Sequence, residues 1–187
     1  MTKLAKNGSL TQALAQLQGR KPPDAAEQER RCSRERELRG KPSTQWPQFD
    51  VAWDRDPGNF HKSRDGSSAE DFRARHPNGI TLSDVPLSEL DAALHVGSRR
   101  AAQEIWSIGD PAKAARAIRH WEDGQAMTPP LVDEASDGTI AIAGGYHRLA
   151  VARAKGDASV PILFDAALLA FMQGHLPSLV VDRTYPV

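Results

Sequence analysis

Five consecutive residues, Gly144, Gly145, Tyr146, His147 and Arg148, carry the most suggestive chemistry in this sequence. The two glycines let the main chain approach a ligand closely, and the imidazole and guanidinium follow where the run from Leu149 to Lys155 begins to read as a helix. The first amides of a helix lack intrahelical partners and carry the positive end of its dipole, so such a turn is an anion site. His147 titrates near neutrality and can donate to a leaving phosphate oxygen or orient water, while Arg148 suits a bidentate contact. Structural roles stay open beside these: His147 packing on the preceding hairpin, and Arg148 in an ion pair with Glu134 or Asp137. Earlier in the chain Lys113, Arg116 and His120 fall at i, i+3 and i+7, a basic stripe that is either a solvated helix face or a second wall of the same site. Hydrolysis of a phosphate ester calls for a divalent cation held by carboxylates, and Glu134 is the candidate for that role or for positioning water. No acidic or histidine spacing marks a ligand set, so the metal ligands stay unassigned, and His61, His76, His95 and His175 read as surface or core residues.

The elements that would position these groups can be read from patterning. Asp110 caps a helix with Pro111 at its first position, and Ala114, Ala117, Ile118 and Trp121 form its apolar stripe. The segment Leu131–Ala135, the turn at Ser136-Asp137-Gly138 and the segment Thr139–Ala143 read as a β-hairpin that delivers the chain to Gly144. After a helix closed by Gly156, Val160–Phe164 is a short buried strand, Asp165–Pro177 an apolar helix, and the last residues an edge strand. Upstream, Ile80–Leu94 begins extended and turns helical near Ser88, which is placed to cap, and Arg99–Gly109 reads as a helix with Ala102, Ile105 and Trp106 inward. Residues 1–20 suggest one short helix, and Asp24–Arg39 a charged helix with almost no apolar face. Gly40–Gly79 is rich in turn-forming residues and is punctuated by Trp46, Phe49, Trp53 and Phe60. These rings either pin an irregular wrap to the core or, with Arg55, Lys62, Arg64, Arg73 and Arg75, stack on bases. The expected division is a basic, partly irregular extension over residues 1–79 and an α+β domain over residues 80–187.

With 187 residues and 40% hydrophobic content, the chain suffices for one compact domain and an arm. Basic and acidic residues balance at 24 each, but residues 1–50 are net basic and the remainder net acidic, which suggests an arm for nucleic acid, an anionic surface or an acidic partner. The lone Cys32 excludes an intrachain disulfide framework or a cysteine zinc site, and fits a reducing cytoplasm. The amino-terminal stretch lacks the continuous apolar core of a signal peptide, and no run of eighteen apolar residues occurs, so no integral membrane segment is expected.

The order of features from Asp110 to Phe164, a helix opening Asp-Pro-Ala-Lys, a Pro-Pro before a hairpin, a Gly-Gly-x-His-Arg turn, a small-residue helix, a glycine and Val-Pro-Ile-Leu-Phe, resembles the ParB/sulfiredoxin superfamily. The resemblance implies a ParB/sulfiredoxin-like fold in which a small mixed sheet is packed by helices. It also implies ATP binding by His147 and Arg148 together with Lys113, Arg116 and His120, with Gly144, Gly145 and Tyr146 in the turn. Tyr146 stands where sulfiredoxins carry their reactive cysteine, so sulfinic-acid repair is not expected; the ring can stack on a base or donate a hydrogen bond. Residues 165–187 leave no room for the helix-turn-helix domain of partition proteins. The chain therefore looks most like the short plasmid-borne fertility-inhibition, or oncogenic-suppression (Osa-like), factors. That likeness implies an ATPase and DNase, with ATP and a divalent cation such as Mg²⁺, acting on DNA and blocking transfer by conjugation or type IV secretion. Such a protein is expected in the cytoplasm, with membrane association through the secretion partner. The alternative is a nucleotide-gated module that binds DNA or a partner without turnover.

Overall fold

The computed structural model describes residues 24–107 and 109–186. Their secondary structure is mixed α and β, with a five-stranded sheet packed by helices. Helix α1 spans Ala25–Leu38 and carries Glu27–Arg31 and Arg34–Glu37 ion pairs at helical spacing, as its charge pattern requires. The helix expected over residues 1–20 lies outside the described residues. The chain divides into two compact units, one ending at Glu37 and the other comprising Leu38–Val187. That division falls well before residue 79, where composition places it, because the second unit takes core side chains from Leu38, Trp46, Phe60 and Phe72.

The second unit contains α2 (Ala69–Arg75), β1 (Ile80–Pro86), α3 (Leu87–Ala93), α4 (Pro111–Glu122), β2 (Leu131–Glu134), β3 (Ile140–Gly144), α5 (Tyr146–Lys155), β4 (Ser159–Asp165), α6 (Leu169–His175) and β5 (Val180–Tyr185). Strand order is β3-β2-β4-β1-β5. The hairpin β2–β3 is antiparallel, with Val132 opposite Ile142. Its turn is closed by Ala135 N–H to the Thr139 carbonyl at 2.8 Å and by Asp137 Oδ1 accepting from Thr139 N–H at 3.1 Å. β4 is antiparallel to β1 along its whole length but lies parallel to β2, where Leu131 registers with Leu163. A strand with neighbours on both sides and cover on both faces should be a continuous apolar run, which explains why Val160 to Phe164 are all buried.

Each face of the sheet carries its own core. One face packs Ile140, Ile142, Leu149, Ile162 and Phe164 against Leu90, Leu94 and Met172. On the other, Phe60 and Phe72 meet Leu82, Leu131 and Leu163. A third cluster joins α4 to α5 through Ala114, Ala117, Ile118, Trp121 and Val151, with Leu38 and Trp46 from the preceding wrap. Of the aromatics of residues 40–79, Trp46, Phe60 and Phe72 are buried, and Phe49 and Trp53 are half-buried against the third cluster. Phe49 stacks on Trp121 with ring centroids 6.2 Å apart, and Trp53 meets the same indole edge-on at 5.4 Å. The indole N–H groups of Trp46 and Trp106 both donate to the Lys41 carbonyl, at 2.9 and 2.7 Å. These ring contacts pin the wrap to the core.

Two local expectations are corrected. The segment Arg99–Gly109 is not a continuous helix; only Ala102–Trp106 coils, as a 3-10 turn, with Glu104 reaching back to the Ala101 amide at 2.6 Å. Helix α3 starts after Pro86, with no side-chain cap, so Ser88 lies inside it. No helix among the described residues is long and apolar enough to cross a membrane.

Candidate anion-binding site

The Asp110 carboxylate caps α4 by accepting the Ala112 amide at 2.8 Å, and Pro111 follows at the first position. Burial of Ala114, Ala117, Ile118 and Trp121 then fixes the rotation of the helix, which leaves Arg116 exposed and Lys113 and His120 half-buried. Across from it, α5 starts at Gly145, whose φ of 90° is left-handed. A Cβ at Gly145 would lie 2.8 Å from Pro130 Cα and 3.2 Å from Arg148 Nε, so only glycine fits that conformation and that space. Gly144 has a different function: a Cβ there would collide with the Ser63 carbonyl oxygen, so this glycine lets the upstream wrap lie directly on the end of β3.

Arg148 is 8% exposed, and its fork is committed to the main chain: Nη1 donates to the Thr128 carbonyl at 2.6 Å and Nη2 to the Ser63 carbonyl at 2.7 Å. Burial lowers its pKa to about 10, opposed by the Asp65 carboxylate, and it stays charged at neutral pH. The guanidinium thereby ties together the glycine turn, the Thr128-Pro129-Pro130 segment and the 3-10 turn Pro57–Ser63, while bringing positive charge to the cleft floor. It pairs with neither Glu134 nor Asp137.

His147 Nε2 accepts the Asp110 backbone N–H at 3.0 Å, which makes the ring neutral and puts its proton on Nδ1. Burial, and then the nearby Lys113 charge, lower its pKa below the ordinary histidine value. Its contribution is one oriented N–H donor and a lock between the starts of α4 and α5.

These elements enclose a cleft of about 160 Å³ lined by Lys113, Arg116, Gly145, His147 and Arg148, with Lys62 and Asp65 contributed by the wrap. Lys113 forms an ion pair with Asp65. The hydrogen bond from Lys113 lowers the Asp65 pKa against the cost of partial burial, and the charges of Lys113 and Arg148 act in the same direction. A second lobe of about 350 Å³ adjoins the first, sharing Lys62, Met127 and Arg148 with it. His120 belongs to this lobe and bonds the Ala126 carbonyl at 3.2 Å; burial lowers its pKa.

The turn and the stripe on α4 thus meet across one cleft, with His120 one lobe away. Three residues named from sequence stand elsewhere. Tyr146 turns from the cationic cleft: its hydroxyl is 2.9 Å from Ser98 Oγ, and the Arg100 guanidinium lies 5.6 Å from its ring centre. It lines a separate apolar cleft with Ile105 and Ala150 on another side of His147. Gly144 is covered by Ser63. Glu134 is exposed at the far end of β2, three residues beyond Leu131, the partner of Gly144; at about 3.3 Å per residue it sits ~10 Å along the strand from the turn.

Asp65 and the placement of Lys62 had no sequence signal, since the Lys113–Asp65 contact joins residues 48 apart with no pattern between them. The cleft fits a phosphate, given its cations, its N–H donor and its glycine floor. It does not by itself make a divalent-cation site: Asp65 is the carboxylate in it, and no three His, Cys, Asp or Glu residues gather as metal ligands among the described residues. No family model, curated protein or solved structure matches the chain.

Proposed function

We propose that this cleft binds the phosphates of a nucleotide and that the protein is a ParB/sulfiredoxin-type, ATP-dependent hydrolase acting on DNA. The supporting observation is the convergence of Lys62, Lys113, Arg116 and Arg148 from three separate segments around the glycine-floored turn, with His147 presenting an oriented donor. Charge-assisted hydrogen bonds of this kind contribute roughly 1.5–3 kcal/mol each, enough for three or four to hold a triphosphate against water. In this reading Lys113 and Arg116 neutralise the phosphates, and His147 Nδ1–H donates to a phosphate oxygen. Arg148 fixes the walls and supplies charge through its Nε edge, beside Gly145. A divalent cation such as Mg²⁺ would arrive with the triphosphate, and no step is assigned to it. The DNase activity, the partner in a conjugation or type IV secretion apparatus and the block on DNA transfer rest on the resemblance of the turn and its flanking elements to short plasmid fertility-inhibition factors. Cytoplasmic action follows from that reading.

The test is ATP binding, phosphate release and plasmid nicking by purified protein with Mg²⁺, in the wild type and in Lys113→Met/Arg116→Met. These two side chains are preferable to Arg148 as probes because neither makes the wall-to-wall fork. Loss of all three readouts with an unchanged melting temperature is expected. Unaltered turnover in the double variant would sink the assignment of this cleft. ATP binding without phosphate release or nicking selects the nucleotide-gated module, a reading that the internal Lys113–Asp65 pair also suits.

A further inference from the structure

The cationic cleft already holds an anion, and that anion belongs to the chain. Asp65 stands two residues after Ser63, whose carbonyl is fixed by Arg148 and whose main chain rests on Gly144. The turn that follows is closed by Ser67 N–H to the Arg64 carbonyl at 3.3 Å and passes through Gly66 at φ 76°, with open space around a Cβ there. The carboxylate is thus carried on a short, exposed turn hinged at a buried anchor, and it reaches Lys113 across the cleft. Its charged neighbours are Lys113 and Arg148, with the neutral His147 ring beside them, a setting that suits a bound anion and disfavours a divalent cation.

We propose that Asp65 is a tethered occupant of the anion site, and that a phosphate ligand reaches Lys113 only by displacing it, which swings the Arg64–Ser67 turn away from the cleft. The proposal rests on the phosphate reading above and adds a gate to it. A ligand that needs the open state has its apparent affinity reduced by the fraction of molecules that are open. The side chain of Asp65 is 77% exposed and that of Lys113 43%, so the pair is weak enough to be broken by a multiply charged ligand. The same gate couples the site to the wrap: whatever holds the Arg64–Ser67 turn down closes the cleft, and whatever binds at Lys113 loosens that turn.

The test uses pyrophosphate as the probe, with full-length wild type and Asp65→Asn, by calorimetry and by amide NMR. Asp65→Asn is expected to bind pyrophosphate roughly three- to fivefold more tightly, the scale of a partly exposed ion pair. In the wild type, pyrophosphate is expected to move the Gly66 and Ser67 amides to the positions they already occupy in unliganded Asp65→Asn. Equal or weaker binding by Asp65→Asn, or tight binding that leaves those two amides unmoved, overturns the gate while keeping the phosphate site. No binding by either protein overturns both.

Discussion

Arg148 shows how one side chain can be functional in type and structural in placement. An exposed ion pair with Glu134 or Asp137 would make its loss cost less than about 1 kcal/mol. The observed fork to two main-chain carbonyls puts the loss for Arg148→Met at about 3–5 kcal/mol, because two buried acceptors lose charged donors together. Urea denaturation of Arg148→Met and Arg148→Lys checks this, with the lysine variant intermediate since a point charge cannot span both carbonyls. His147 sets a pH dependence whose sign is fixed. Its folded pKa lies below the unfolded value near 6.5, so between the two the unfolded chain binds more protons and stability rises with pH. His120 acts in the same direction. Stability is therefore expected to be level above about pH 7 and to fall as pH drops below about 6.5. His147→Gln should flatten that fall, as read by urea midpoints at pH 7.5 and 5.5.

At the scale of elements, the site is the meeting of two helix starts with an irregular strap. The turn Pro57–Ser63 is held by Phe60, which is fully buried, and by the contact of Ser63 with Gly144. Phe60→Ala is expected to lower stability by about 3–5 kcal/mol, measured by thermal and urea unfolding, whereas a base-stacking residue would lose nucleic-acid affinity with its melting temperature intact. Gly144→Ala should cost about 2–3 kcal/mol by forcing the strap off β3, and raise the protease sensitivity of residues 57–66. Both changes reach the cleft indirectly, by moving Lys62 and Asp65. Patterning anticipated the hairpin, α4, α5 and β4, because each rests on local signals: a cap, a turn dipeptide, an apolar period. The 3-10 stretch Ala102–Trp106 has an apolar spacing that fits a longer helix equally well, so patterning does not separate the two.

For the whole molecule, the relevant unit begins at Leu38, although composition changes at residue 79. A chain trimmed to residues 80–187 loses Leu38, Trp46, Phe60 and Phe72 from its cores and is expected to be molten, with weak near-ultraviolet dichroism and no cooperative melt. One trimmed to residues 38–187 should unfold cooperatively. A cooperative melt of the shorter chain would show that the wrap is accessory.

The sequence alone determined the order of elements from Asp110 to Phe164, the burial stripe of α4 and the cationic character of the turn at Gly144 to Arg148. These depend on neighbours within a few residues, where caps, periods and glycine conformations are set. The tertiary structure alone decided that Arg148 clamps the walls, that Tyr146 faces another cleft, that Glu134 stands apart, and that Lys62 and Asp65 complete the site. Each of those outcomes depends on which distant segment supplies a partner, such as Ser63 to Arg148 or Asp65 to Lys113, and no local pattern encodes a contact closed across tens of residues.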